Sequence, residues 1–117
     1  MQSASAGTDQ YDRDVLRAAG IRLASAQGCN ANAVSEHAIA LMFALARQIP
    51  EANERTQAGE WPKNGFMGVE VTGKTLGLIG AGNIGSIVAS RALGLKMKVV
   101  AFDPFLTPER AIDLGIE

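Results

Sequence analysis

Among 117 residues there is one cysteine, Cys29, and one histidine, His37. A single thiol cannot form a disulfide within the chain, and four-thiol metal sites are excluded. A cysteine nucleophile would need an imidazole base. His37 lies inside an apolar helix pattern, where a satisfied structural histidine is the expectation, and Cys29 is expected to be a small, partly buried free thiol. No catalytic residue and no metal ligand is assigned. An excess of one charge is also missing: 11 Lys+Arg against 12 Asp+Glu leave a net charge of −1. Nothing in that balance attracts a phosphate backbone, so no nucleic-acid partner is expected. The longest apolar stretch, Ala38 to Ala46, is too short to cross a bilayer. The opening "MQSASAG" is small and polar, unlike a secretory signal. The expectation is a soluble cytoplasmic protein with no membrane partner. There are no internal repeats and no low-complexity tracts. What remains is ordinary for a globular chain, 47% hydrophobic and 20% charged, and long enough for one modest domain.

Along the chain, "YDRDVLRAAG" (11–20) has the apolar spacing of a short helix closed by Gly20. "IRLASA" (21–26) alternates like a strand, with no strand partner legible before Gly7. "GCNANAV" (28–34) is a loop feeding a helix, which Asn30 or Asn32 can cap. That helix is expected over Ala33–Gln48 and is apolar on nearly every face, so it must be covered all round. A chain this short can hardly do so alone, and a partner chain is expected on one side. Pro50 marks a break or kink. "EANERTQAGEW" (51–61) reads as a more polar helix ending at Gly59. Trp61 and Pro62 open an irregular arm, "WPKNGFMGVEV" (61–71). This arm either folds back on its own core or reaches onto a second subunit.

From Val71 the pattern becomes regular. "TLGLI" (75–79) reads as a short buried strand, Asn83–Leu93 as a helix and "KVVAFD" (98–103) as a second strand. "TPERAIDLG" (107–115) carries a full set of helix signals: Thr107 as N-cap, Pro108 at the first position, Glu109 in the first turn and Gly115 at the end. Strand–helix–strand–helix order implies an α/β fold with a parallel sheet.

The six residues Gly80-Ala81-Gly82-Asn83-Ile84-Gly85 match G-x-G-x-x-G. A bare match is weak, but this one follows a strand, opens a helix and precedes a strand ending in Asp103. Each glycine has its own reason. Gly80 allows the tight turn, Gly82 leaves room for a pyrophosphate against the backbone, and Gly85 lets helix and strand pack closely. Free N–H groups around Asn83 and Ile84 then face phosphate oxygens. Asp103, eighteen residues beyond Gly85, can accept from both ribose hydroxyls of an adenosine. A 2′-phosphate there would meet like charge and no arginine, so NAD is favoured over NADP. Asp103 also has a plainer reading, as a turn former before Pro104, and the glycines one as a ligand-free turn. A P-loop is excluded because no G-K-[ST] follows.

With their surroundings, these stretches resemble the D-2-hydroxyacid dehydrogenase family, which includes D-3-phosphoglycerate dehydrogenases. The matching segments are "SAGTDQYDRDVLRAAGI" (5–21), "GCNANAVSEHAIALMFALAR" (28–47), "GEW" (59–61), "FMGVEVTGKTLGLIGAGNIG" (66–85) and "GLKMKVVAFDP" (94–104). The resemblance implies a two-domain enzyme with its active site in the cleft between domains. Residues 1–27 would be the tail of the substrate domain, and 28–117 the first half of a Rossmann-type NAD-binding domain, a βαβα unit preceded by a long apolar helix. It implies a homodimer through the Ala33–Gln48 helix and the Trp61–Val71 arm. It places Asn30 near the substrate cleft and Gly80, Gly82, Asn83, Ile84 and Asp103 at the cofactor.

The family's catalytic arginine, histidine and glutamate would follow the second half of the nucleotide domain, and no residue here matches them. Arg91 and Arg110 read as solvent-facing charges. The expectation is therefore the NAD-binding portion of an NAD-dependent 2-hydroxyacid dehydrogenase, with 3-phosphoglycerate among the candidate substrates, truncated and inactive alone. The alternative is a non-catalytic oligomerising fragment that binds no cofactor. A third comparison, with the NAD domains of adenosylhomocysteinase or alanine dehydrogenase type, is disfavoured by "SAGTD" and "GEW".

Overall fold

The structure, a computed structural model, describes residues 1–61 and 63–117. Pro62, at the start of the expected arm, lies outside the described residues. Seven elements follow in order: α1 (Arg13–Ala18), α2 (Ala31–Ala46), α3 (Ile49–Gln57), β1 (Thr75–Ile79), α4 (Asn83–Gly94), β2 (Lys98–Phe102) and α5 (Pro108–Leu114).

The first twenty-six residues form a small unit around α1. Asp12 caps this helix, its side chain accepting from the amides of Asp14 and Val15 at 2.9 and 3.1 Å. The helix is shorter than its apolar spacing suggests, and Gly20 lies beyond it in the left-handed region (φ +65°). Residues 21–26 do not make a full strand. A single parallel bridge joins Ala24 to Gln2, with Ser3 N–H donating to Ala24 at 2.8 Å and Ala24 N–H to Met1 at 3.0 Å. The partner segment is thus the extreme N-terminus, which carried no readable strand pattern. One short neighbour gives too little ladder for a regular strand.

Helix α2 starts two residues earlier than its pattern indicates and ends two earlier. Asn30 sits at the N-cap, but its side chain makes no capping bond. The break after α2 comes from Gln48, which is left-handed (φ +53°), and not from Pro50. Pro50 instead occupies the first turn of α3, where a missing N–H costs nothing. Helix α3 therefore begins earlier than the expected 51 and ends at Gln57, ahead of Gly59.

Strands β1 and β2 pair in parallel, in register from Thr75 with Lys98 to Ile79 with Phe102, and α4 connects them. The face carrying Leu76, Leu78, Val99 and Ala101 packs against Ala89 and Ala92 of α4 and against Met97 and Ile116. Val99 is 1% exposed. Thr107 caps α5, and Gly115 closes it at φ +67°. The backbone of Glu117 then pairs with β2 on the edge away from β1: its N–H donates to Val99 at 2.9 Å and its carbonyl accepts from Ala101 at 3.3 Å. The opposite sheet face is bare, with Ile79 96% and Phe102 70% exposed.

The molecule is spread out. Its radius of gyration is 19.7 Å, against about 13 Å for a compact domain of this length. Its accessible surface is 8650 Å², against about 6,100 Å² for a compact protein of this mass. Among the described residues, no helix is long and apolar enough to cross a membrane.

Candidate functional site

The turn between β1 and α4 is shaped by three glycines acting differently. Gly80 has φ +98°, a conformation that strains any L side chain. Its N–H donates to Phe102 at 2.8 Å, which extends the ladder into the turn. A Cβ on Gly82 would meet nothing within 4 Å, so the space above this residue is open. A Cβ on Gly85 would collide with the Gly80 carbonyl, so the helix start lies directly on the strand end.

Helix α4 has no side-chain cap at Gly82. Its first backbone bond is from Ser86 N–H to the Gly82 carbonyl, at 2.9 Å. Among the described residues, the amides of Gly82, Asn83, Ile84 and Gly85 donate to no protein acceptor. Four free donors at the positive end of a helix form a ready anion site.

Asp103 closes the site from one residue past β2. Its Oδ2 accepts from Ala81 N–H and its Oδ1 from Phe105 N–H, both at 2.8 Å. The Ala81 amide first, then the Phe105 amide, holds this carboxyl below its ordinary 3.8. The turn-forming reading thus describes one oxygen, and the other braces the glycine turn. This brace is not legible in the sequence, because neither the ribose reading nor the turn before Pro104 points to the Ala81 amide. Each carboxylate oxygen keeps a further lone-pair direction for a hydroxyl donor.

Asn30 is brought to the same neighbourhood. With Ala6, Gln27, Gly28 and Ala31 it faces Asn83 and Ile84 across a cleft of about 250 Å³. The sequence-designated residues Gly80, Gly82, Asn83, Ile84, Gly85, Asp103 and Asn30 therefore cluster around one turn. Two side chains depart from expectation. Cys29 is exposed, not partly buried. His37 is exposed on the flank of α2 opposite Ser35, and among the described residues no hydrogen bond holds its ring. Among the described residues, no three His, Cys, Asp or Glu side chains converge as a metal site.

A glycine turn with free amides, open space over its middle glycine and a carboxylate at the next strand end defines a dinucleotide-binding α/β unit. The family of D-isomer specific 2-hydroxyacid dehydrogenase NAD-binding domains matches residues 39–117, and the chain belongs to it. NAD is the cofactor of that domain family, and the free amides, open space and carboxylate described above fit it.

The chain is 44% identical over 114 residues to D-3-phosphoglycerate dehydrogenase of Archaeoglobus fulgidus, covering 97% of this chain and 22% of the relative. It superimposes on D-lactate dehydrogenase of Aquifex aeolicus, solved with NAD and lactic acid, with a TM-score of 0.87 at 26% identity. That match covers 99% of this chain and 35% of the other. Against the apo D-lactate dehydrogenase of Escherichia coli the TM-score is 0.83 at 34% identity, covering 97% of this chain and 35% of the other. The chain thus spans about a fifth of the length of the curated relative.

Proposed function

We propose that this chain is the NAD-gripping portion of an NAD-dependent 2-hydroxyacid dehydrogenase, with 3-phosphoglycerate as the first candidate substrate of the whole enzyme. The observation that carries the reading is the set of four free amides at the start of α4, beside open space at Gly82. In this reading the amides of Gly82, Asn83, Ile84 and Gly85 receive the pyrophosphate. Gly80 and Gly85 set the turn, and Asp103 accepts from the adenosine ribose. Asn30 lines the substrate side of the cleft, and the division between substrate and nucleotide domains falls at 27/28. The hydride acceptor of such a reaction is the nicotinamide of NAD; the work of these residues is to hold its adenosine-diphosphate half.

This chain alone is expected to turn over no 2-hydroxy acid. Reduction of a 2-keto acid needs a cation at the keto oxygen and an acid at hydrogen-bond distance. His37, the one imidazole, is exposed on α2. The homodimer belongs to the same proposal. Its support is the apolar surface left open on α2, where Leu45 is 82% exposed, and on the arm, where Trp61 is 78% exposed. The arm is braced for such a role: Val69 N–H donates to the Ala46 carbonyl at 2.7 Å, and Arg55 stacks over Phe66 at 5.3 Å.

Calorimetric titration of NAD and of ADP into the parent chain, Gly82→Val and Asp103→Ala tests the grip. Heat from the parent and its loss in both variants is the expected result. Equal heats for all three would reject the site. The competing reading, an oligomerising fragment without cofactor binding, draws on the same open apolar surface. It predicts a dimer whose melting temperature is indifferent to NAD, whereas a binder gains stability as NAD rises above its Kd.

A further inference from the structure

One polar side chain lies on the seam between α2 and α4, and the function proposed above does not use it. Ser35 is fully buried. Most α2 residues around it that face α4 are apolar: Ala31 is buried, and Ile39 and Met42 line a groove with Val88 and Gly85. The Ser35 hydroxyl lies 2.7 Å from the Ala31 carbonyl, one turn back, and 3.2 Å from the carbonyl of Ile84. A serine hydroxyl has one proton, so the two carbonyls share it. The second acceptor belongs to the first turn of α4, whose amides are the free donors of the glycine turn. Ser35 is thus the one side chain hydrogen-bonded to the backbone of that first turn from another helix, among the described residues.

We propose that Ser35 is a positioning residue for the nucleotide site. Its hydroxyl fixes the first turn of α4 against α2, and so fixes where the free amides point. Helix α2 begins immediately after Asn30, on the far wall of the cleft that faces Asn83 and Ile84. A tie from Ser35 to Ile84 therefore also sets the distance between the two walls. The inference rests on the nucleotide-binding reading. The plain alternative is that serine is present only for its small size, which lets the helices approach; alanine would then serve equally well.

Three variants separate these cases: Ser35→Ala, which removes the hydroxyl and keeps the size; Ser35→Cys, nearly the same size with a weak donor; and Ile116→Val, a mild core change remote from the turn. Calorimetry with NAD is expected to give about five-fold weaker binding for Ser35→Ala, the size of one amide–phosphate hydrogen bond lost when the turn is no longer held in place. Ser35→Cys should fall between it and the parent, and Ile116→Val should bind like the parent although its melting temperature falls by a few degrees.

Amide hydrogen exchange without nucleotide supplies the second readout. Ser35→Ala should speed exchange at Ser86, Ile87 and Val88 and leave Met97 and Val99 unchanged. Parent-like binding together with parent-like exchange in Ser35→Ala would overturn the proposal. Equal weakening by Ile116→Val would overturn it too, since the effect would then be general stability. If the parent chain binds no NAD, the nucleotide reading fails, and the exchange pattern alone decides whether Ser35 holds the turn.

Discussion

At the scale of single residues, the glycine turn separates folding from binding. Gly80 has a positive φ of 98°, while Gly82 has an ordinary φ of −72° and empty space where a Cβ would go. Gly80→Ala should therefore cost about 1–2 kcal/mol through backbone strain. Gly82→Ala should leave the melting temperature within a degree or two of the parent while weakening NAD binding, because its methyl enters only the space a ligand needs. Paired thermal melts and titrations check this; a matching loss of stability in both variants would contradict it. Asp103 gives a pH-dependent counterpart. Two backbone amides hold its folded pKa below 3.8, with Ala81 the larger influence. A lowered folded value stabilises the protein above the unfolded pKa, near 3.9. That contribution fades as pH falls through the folded value. Urea midpoints measured downward from pH 5 should fall less steeply in Asp103→Asn than in the parent below about pH 4.

At the scale of elements, legibility followed the strength of local signals. The β1–α4–β2 unit was readable because apolar runs, glycines and an aspartate stand at fixed offsets, and α5 because Thr107, Pro108 and Gly115 all mark its ends. The 21–26 segment was not, since alternation says nothing about whether a neighbour exists to complete a ladder. The α2–α3 boundary was misplaced because Pro50 is a visible breaker, whereas the left-handed turn at Gln48 has no sequence signature. At Asp103 the sequence offers a ribose acceptor or a turn former but not the bond to Ala81, a contact that only the closed turn creates. Gln48 offers a test. Glycine relieves the left-handed strain, offset in part by greater freedom in the unfolded chain. Gln48→Gly is expected to raise stability by up to about 1 kcal/mol with unchanged NAD affinity, read from chemical denaturation. A loss of helicity by circular dichroism would show that Gln48 does more than terminate α2.

At the scale of the whole molecule, surface area is the strongest argument. The accessible surface exceeds the compact expectation by on the order of 2,500 Å², and two separate apolar faces contribute to it. One is the bare side of the sheet at Ile79 and Phe102. The other is a stripe on α2, with Val34, Leu41 and Leu45 exposed on the side of the helix opposite Ser35 and Ile39. Such a stripe on a folded chain marks a surface that something else covers, and a second copy of the chain is the proposed occupant. A double change, Leu41→Glu with Leu45→Glu, places two carboxylates on the stripe without entering the α4 seam, where Ile39 and Met42 lie. Both sites are exposed and glutamate is a good helix former. The α2 helix and the glycine turn should therefore persist. Sedimentation should shift toward monomer at concentrations where the parent is dimeric, while NAD affinity per chain stays within about two-fold. An unchanged sedimentation coefficient would remove α2 from the interface. A simultaneous loss of NAD binding would instead mean that the dimer shapes the nucleotide turn itself.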